Sequence, residues 1–150
     1  MTFTFDTVTT IAASPKAVFD ASLDIDAHLA SMEASGEKAI AGVTSGLIGP
    51  GETVTWRAKH FGITWKMTSK ITEYERPHRF VDEQVRGPFH RFYHEHRFTP
   101  DGNGTIMADS ITFEAPFGLF GRAAERLILN SYLPKLIAER NSYLKTTLEA

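Results

Sequence analysis

Cysteine is absent from the 150-residue sequence, and this absence excludes several kinds of site. Without cysteine the chain has no disulfide bond, no thiolate nucleophile and no cysteine-ligated zinc. A protein without disulfide bonds suits a reducing compartment, so we expect a cytoplasmic location.

An excess of basic residues is also missing. The chain has 16 lysine and arginine residues against 18 aspartate and glutamate residues, which gives a formal net charge of −2. Proteins that bind nucleic acid neutralise phosphates with clustered cations, so this balance argues against a nucleic-acid partner. No apolar run approaches the roughly 18 residues of a membrane span, and residues 1–6 lack the basic and apolar regions of a signal peptide. We therefore expect no membrane span.

Motifs for common cofactors and nucleophiles are absent or incomplete. Residues 49–51 (Gly-Pro-Gly) precede a predicted strand rather than a helix, so they are not the glycine-rich turn of a dinucleotide site. Residues 101–104 lack the remaining ligands of a calcium loop, and the Gly-x-Ser-x-Gly motif of serine hydrolases does not occur. The sequence therefore predicts no cofactor.

The N-terminal part of the chain carries signals for one strand and two short helices. Residues 3–11 are rich in β-branched and aromatic residues, which predicts a strand. Ser14-Pro15 is typical of a helix N-cap followed by the first helical residue. Either Asp24 or Asp26 would cap a second short helix.

Alternating polar and apolar residues dominate the chain from about residue 52 to residue 115. This period of two indicates antiparallel strands with one dry face and one wet face. Segments rich in glycine and proline separate them as turns. The predicted strands lie at about 37–44 (a weak one), 52–60, 63–72, 79–86, 89–99 and 105–114.

Residues 118–148 form the longest predicted helix. Its apolar residues up to Leu127 and Ile128 cluster on one side, whereas those from Leu133 onward cluster nearly opposite. The change occurs beside Pro134, which removes a helical hydrogen bond. We therefore predict a kink near residues 130–134.

Together these elements predict an α+β fold in one domain that covers residues 1–150. A curved antiparallel sheet of about seven strands would grip the long C-terminal helix, with two short helices after the first strand. Because both facing surfaces carry large side chains, a cavity can remain between the sheet and the helix.

Several segments of the sequence are similar to a known superfamily. They are residues 49–56 (Gly-Pro-Gly-Glu-Thr-Val-Thr-Trp), 60–62, 80–83, 86–89, 94–98, 104–109 and 116–118. With them the chain resembles the SRPBCC superfamily of START and Bet v 1-like proteins, in a bacterial branch described as polyketide cyclase/dehydrase. The resemblance implies a helix-grip fold and a hydrophobic small-molecule ligand (lipid-, polyketide- or aromatic-like), and it supplies no catalytic residue. It is also compatible with a homodimer.

Polar residues are predicted to form a row inside this cavity. His90, His94 and His96 have even spacing on one strand, so they share a face, which we expect to be the concave one. A hairpin over residues 100–104 would bring Asp109 near His94 or His96.

The turn before this strand decides whether a second aspartate joins the row. If the turn covers residues 87–89, Asp82 lies opposite His94 and Gln84 lies opposite Phe92. A two-residue turn would instead place Val81 opposite His94.

Four interpretations of the row compete. Buried histidine and aspartate side chains could simply satisfy each other, because an unpaired buried polar group costs about 1–3 kcal/mol. They could instead orient a ligand, act in general acid–base catalysis, or bind a metal through the His-x-His pair. We assign no metal, because helix-grip proteins rarely use one. The catalytic candidates are His94, His96, Asp82 and Asp109.

Most of the large inward-facing side chains could be either core or cavity lining. His60 would sit at one end of the cavity, and His28 lies either at its mouth or on the surface. The candidate ligand-binding residues are Trp56, His60, Trp65, Met67, Phe80, Gln84, Phe92, His94, His96, Asp109, Ile111, Phe120 and Leu127.

Three function classes remain open. The leading hypothesis is a protein that encloses an apolar or amphipathic small molecule between sheet and helix. The alternative is a cyclase, dehydratase or hydrolase that uses the polar row for acid–base chemistry. The third is an interaction subunit with a collapsed cavity.

Overall fold

The computed structural model describes residues 2–114 and 131–150. Within these ranges, seven strands form one antiparallel sheet in the order β1-β7-β6-β5-β4-β3-β2. The strands are β1 (Thr2–Ile11), β2 (Lys38–Gly42), β3 (Thr53–His60), β4 (Ile63–Glu75), β5 (Arg79–Arg86), β6 (Arg91–Asp101) and β7 (Gly104–Glu114). The predicted helix-grip fold, with a curved sheet of about seven strands, is confirmed.

Two short helices follow the first strand, and each is capped as its sequence predicts. The described helices are α1 (Pro15–Ser22), α2 (Ile25–Ser31) and α3 (Leu133–Glu149), with a 3-10 turn at Glu33–Ser35. The Ser14 Oγ accepts a hydrogen bond from the Ala17 backbone N–H at 3.3 Å. Of the two candidate caps of α2, Asp24 is the one used, and its carboxylate accepts from the Asp26 N–H at 2.9 Å. These bonds satisfy N–H groups that a helix start leaves open.

The C-terminal helix α3 packs against β1, α1 and α2. Pro134 lies in its first turn, and residues 131 and 132 just before α3 have π-helical geometry. The helix predicted before residue 131, and with it one arm of the predicted kink, lies outside the described residues. In the described part of the chain, no helix is both long and apolar enough to cross a membrane.

An aromatic cluster ties α1 to the sheet. Phe19 of α1 is fully buried and makes edge-on contacts with Tyr74, Phe80 and Phe98, with ring centroids 5.3–5.4 Å apart. Such edge-to-face arrangements suit the charge distribution of aromatic rings. Because α1 is only eight residues long, this packing rather than its intrinsic propensity holds it in place.

The register of the central strands determines which polar residues face the helix. Asp82 of β5 lies opposite His94 of β6, and His96 lies opposite Asp109 of β7. This is the register that the longer turn predicts. A slip of one residue would turn His94 and His96 to the convex face.

We predict that Phe19→Ala lowers the free energy of unfolding by about 3–5 kcal/mol, because the change leaves a cavity among three aromatic rings. Urea denaturation monitored by circular dichroism measures this loss. The control is Val8→Ala, since Val8 is 65% exposed on β1 and its truncation should change stability by no more than about 0.5 kcal/mol. Equal effects of the two substitutions would contradict the role of Phe19.

Candidate functional site

A cavity of about 280 Å³ lies between the concave face of the sheet and helices α2 and α3. Its lining is mainly apolar and aromatic, with one set of polar groups at the centre of the sheet and another near α2. Eight of the residues predicted to bind ligand border it: Trp56, His60, Trp65, Met67, Phe80, Phe92, His94 and His96. Asp82, a candidate acid–base residue, borders it as well.

Three other predicted ligand-binding residues do not border the cavity. Gln84 turns toward the β5–β6 loop, where its amide donates to the Phe89 carbonyl at 2.6 Å and accepts from the Phe89 N–H at 3.2 Å. Asp109 and Ile111 are buried in β7 and do not reach the cavity surface. The predicted lining residues Phe120 and Leu127 lie outside the described residues.

His90 does not belong to the inward row that its spacing predicts. It is exposed in the loop before Arg91, the residue at which β6 begins. Even spacing orients a side chain only while the backbone remains a strand, and the β5–β6 loop interrupts the strand before this residue. The predicted inward position of His90 is therefore wrong.

Six side chains form one hydrogen-bonded group, which we call the polar cluster. Its members come from three strands and α3: Asp82, His94, His96, Asp109, Arg140 and Asn141. The shortest contacts between the two aspartates and the two histidines are diagonal, although His96 Nδ1 also lies 3.2 Å from Asp109 Oδ1, straight across. His94 Nε2 is 2.8 Å from Asp109 Oδ1, and His96 Nε2 is 2.7 Å from Asp82 Oδ2. His94 Nδ1 and Asp82 Oδ2, although on opposite residues, are 3.9 Å apart.

Asp109 is the innermost member of the polar cluster, with a fully buried side chain. Its Oδ1 accepts from Arg140 Nη1 at 3.1 Å, and its Oδ2 accepts from Asn141 Nδ2 at 2.9 Å. Burial alone would raise the pKa of this carboxyl, but the charge of Arg140 and the hydrogen bond from His94 outweigh burial and hold the pKa well below its usual value. Asp109 is therefore a carboxylate at neutral pH.

The ionised aspartates fix which ring nitrogens donate. Burial would raise the pKa of the Asp82 carboxyl, but the hydrogen bond with His96 and nearby positive charge together outweigh burial and lower the pKa, so Asp82 is a carboxylate and His96 Nε2 donates to it. His96 Nδ1 lies between Arg140 Nη2 at 3.3 Å and Asp109 Oδ1 at 3.2 Å. His94 Nε2 faces the carboxylate of Asp109 and donates to it. Burial, together with the charge of neighbouring His96, lowers the pKa of His94 to about 4, so its Nδ1 is a bare acceptor at neutral pH.

The two imidazole rings are poorly arranged to share a metal ion. Asp82, His94 and His96 do offer three ligand atoms within 4.8 Å of one another. However, the two rings are stacked, with centroids 3.7 Å apart and planes at 21°, so their in-plane lone pairs run side by side rather than converge. The guanidinium of Arg140 beside His96 adds a competing positive charge. The ring arrangement disfavours a shared ion, and the absence of a metal here stays a prediction.

The far end of the cavity, near α2, carries a second set of polar contacts. His28 Nε2 lies 2.9 Å from Glu37 Oε1, and the His28 ring lies on Trp56 with centroids 4.3 Å apart. His60 Nδ1 is hydrogen-bonded to the hydroxyl of Tyr132. His28 thus borders the cavity, and His60 lies where the sequence predicts, at one end of it.

Sequence reasoning missed the contribution of α3 to the polar cluster. Arg140 and Asn141 occur in a polar run, Ala-Glu-Arg-Asn, which is typical of a solvent-facing helix surface. One signal could have identified Arg140, since it lies four residues after Leu136 and four before Leu144, on the apolar stripe of the helix.

Comparison with known proteins identifies the family. A model of the family described as polyketide cyclase/dehydrase and lipid transport matches residues 2–149. The chain belongs to this family. No protein of curated function matches the sequence.

Solved structures that resemble this member of the polyketide cyclase/dehydrase and lipid transport family share its fold at low sequence identity. TTHA0849 from Thermus thermophilus is 17% identical with a TM-score of 0.75, over 97% of this chain and 99% of that one. The Zhui aromatase/cyclase from Streptomyces sp. R1128 is 15% identical with a TM-score of 0.75, over 99% and 94%. A START superfamily protein from Mycobacterium smegmatis is 13% identical with a TM-score of 0.71, over 97% of both chains. The likeness establishes the fold.

We predict that Arg140→Leu destabilises the protein by about 3–5 kcal/mol, because it leaves the buried carboxylate of Asp109 without its cation. The matched control is Lys135→Leu, which removes an exposed cation from the same helix and should cost at most about 0.5 kcal/mol. Chemical denaturation of both variants measures the difference. A small loss for Arg140→Leu would mean that Arg140 and Asp109 do not depend on each other.

We predict that stability falls as the pH is lowered from about 6.5 to about 4. The unfolded chain binds a proton at His94 near pH 6.5, whereas burial delays the same protonation in the folded state to a pKa of about 4. At about 1.4 kcal/mol per pH unit, the loss amounts to roughly 3 kcal/mol across this window. Asp82 and Asp109, whose pKa values are lowered from 3.8, add their own losses only at more acidic pH.

The variant His94→Gln separates this histidine from other groups. Burial also lowers the pKa of His60, so part of the slope should persist in the variant while the share of His94 disappears. Denaturation curves collected across the pH window give both slopes. An unchanged slope in His94→Gln would show that His94 is not buried in its neutral form.

Proposed function

We propose that the protein binds a hydrophobic or amphipathic small molecule, of lipid-, polyketide- or aromatic-like character, in the cavity between the sheet and α3. The observation that carries this proposal is the cavity itself, an apolar space of about 280 Å³ with a polar cluster on one side. A family described by polyketide cyclisation and lipid transport, and neighbours that include an aromatase/cyclase and a START protein, support it.

The composition of the lining suits such a ligand. Trp56, Trp65 and Met67 from β3 and β4 and Phe92 from β6 present broad apolar surfaces to one volume. Moving apolar surface out of water contributes about 25 cal/mol per Å², which makes a mostly apolar ligand favourable. Pockets for small molecules are commonly about 300–1,000 Å³, so this one suits a small ligand.

The polar cluster would give the ligand a direction. A few polar groups in an otherwise apolar pocket fix the orientation of a bound molecule, because any other orientation leaves them unpaired. Asp82 and His94 border the cavity and are the members placed to make this contact.

Acid–base catalysis on a polyketide-like or aromatic substrate is the second candidate function. It is favoured by the pairing of His94 with Asp109, since an orienting carboxylate behind a histidine is the usual arrangement of a general base. Catalysis ranks second to binding because the pKa of His94 is about 4, whereas an efficient general base has a pKa near the operating pH. Binding makes no such demand on the histidine.

We predict that Ala58→Trp abolishes ligand binding while the protein stays folded. Ala58 borders the cavity from β3, so an indole added there would occupy much of the ligand space. N-phenyl-1-naphthylamine, a neutral probe that fluoresces in apolar surroundings, should bind the unmodified protein and bind the variant at least about tenfold more weakly.

The control for this experiment is Ala41→Trp, which adds the same ring to an exposed position on β2. It should leave probe binding unchanged. If the folded Ala58→Trp variant binds the probe as tightly as the unmodified protein, the probe binds elsewhere and the proposal is wrong. Failure of the unmodified protein to bind would also reject it.

A further inference from the structure

The polar cluster has a closed side and an open side. Asp109, Arg140 and Asn141 are buried and bond to one another behind the histidines. Asp82 is the most accessible member, with 22% of its side chain exposed, and it borders the cavity. A ligand in the cavity therefore meets the Asp82 side of the cluster first.

His94 also presents an unpaired atom to the cavity. Its Nε2 is bonded to Asp109, while its Nδ1 lies 3.9 Å from the nearest carboxylate oxygen of Asp82, beyond hydrogen-bond distance. Among the described residues, every fully buried side-chain nitrogen or oxygen has a hydrogen-bond partner. His94 Nδ1 has no partner, so it is not fully buried, and it is open to the cavity that His94 borders.

Both open groups are hydrogen-bond acceptors. The ionised carboxylate of Asp82 accepts a hydrogen bond from His96 Nε2, which leaves it with further lone pairs for a ligand. Asp109 makes His94 donate inward, which leaves a lone pair on Nδ1. A ligand at this side of the cavity thus meets two hydrogen-bond acceptors, the Asp82 carboxylate and His94 Nδ1.

The charged residues of the cavity lining also favour a ligand without negative charge. Among the lining residues that the structure describes, Asp24, Glu37 and Asp82 are acidic, and Arg140 is the one residue that is always cationic. Arg140 is only 5% exposed and already bonds to Asp109. Asp82 is thus a carboxylate that faces histidine nitrogens, His96 Nε2 at 2.7 Å and His94 Nδ1 at 3.9 Å, while the guanidinium of Arg140 pairs with Asp109.

We propose, building on the proposed function, that Asp82 and His94 select a ligand whose polar end donates a hydrogen bond and carries no negative charge. An alcohol, a phenol or an amine fits this description, and a carboxylate does not. A hydroxyl can donate to the Asp82 carboxylate in a charge-assisted bond. A carboxylate at the same place would face a like charge, so one of the two acids would have to take up a proton.

Three probes with the same ten-carbon chain test this selection: decanol, decylamine and decanoate. Each is titrated against the unmodified protein carrying N-phenyl-1-naphthylamine at about pH 7, where the amine is protonated and the acid ionised. Decanol and decylammonium should displace the dye at concentrations at least about tenfold lower than decanoate. Both ions are better hydrated than the alcohol, and this hydration alone would weaken the binding of each. The comparison between decylammonium and decanoate therefore isolates the effect of the sign of the charge.

The outcomes separate the selection from the proposed function. Equal displacement by decylammonium and decanoate, or a preference for decanoate, would overturn the selection while leaving ligand binding intact. Failure of decanol to displace a bound dye would overturn it too. If the dye does not bind at all, the proposed function itself fails.

The variant Asp82→Asn tests whether Asp82 is the source of the preference. Asparagine keeps the shape and one acceptor, loses the charge and gains donors, so the ratio between decylammonium and decanoate should fall to within about threefold of unity. Glu83→Gln is the matched control, since it removes a charge from the next residue of β5, which faces the other side of the sheet and bonds to Thr72. Its ratio should equal that of the unmodified protein. A ratio that stays high in folded Asp82→Asn would assign the selection to another group and overturn the role of Asp82.

Discussion

The buried carboxylate of Asp109 is the constraint on which the polar cluster and the placement of α3 depend. A charge removed from water costs several kcal/mol unless opposite charge and hydrogen bonds replace the lost hydration. Asp109 on β7 obtains these from His94 on β6 and from Arg140 and Asn141 on α3. The helix can therefore neither rotate nor slide without leaving a charge unpaired. The polar cluster fills one part of the interface between helix and sheet, and the cavity occupies the part toward β3, β4 and β5.

The two aspartates determine which histidine atoms face the cavity. Asp109 can only accept, so His94 Nε2 donates to it, and the carboxylate of Asp82 accepts from His96 Nε2. His94 is thereby left with a bare nitrogen, Nδ1, on the side of the ring that borders the cavity. Under the proposed function, exchanging the donor and acceptor roles inside the cluster would reverse the kind of ligand head group that the cavity accepts.

The sequence predicts the sheet better than it predicts the site, for a physical reason. Alternation with a period of two predicts the strands from β3 to β7, and the turn at residues 87–89 correctly places Asp82 opposite His94. Strand register, however, fixes backbone neighbours and not hydrogen bonds. Side chains two residues apart on neighbouring strands are still within reach of long side chains, and here each histidine bonds to the diagonal aspartate.

The helix contribution was missed because a local pattern cannot reveal what a distant segment demands. An arginine within Ala-Glu-Arg-Asn looks solvent-exposed until Asp109, 31 residues earlier, is known to be buried beneath it. His90 shows the opposite error, because its spacing matches the inward row although the strand has not yet begun. Periodicity is informative only inside an element whose ends are known, and element ends are set by loop packing that the pattern does not contain.

Under the proposed function, the structural interpretation of the polar row applies to its inner half and ligand recognition to its outer half. A network that served stability alone would satisfy all of its members internally, because each unpaired group costs free energy. The inner half, Asp109 with Arg140 and Asn141, is closed in this way. The outer half is not, since Asp82 remains partly exposed and His94 Nδ1 has no partner in the described part of the chain. A ligand with one polar end in the apolar cavity would complete the hydrogen bonds of this outer half. The closed inner half would hold the geometry of the polar cluster fixed whether or not the ligand is bound.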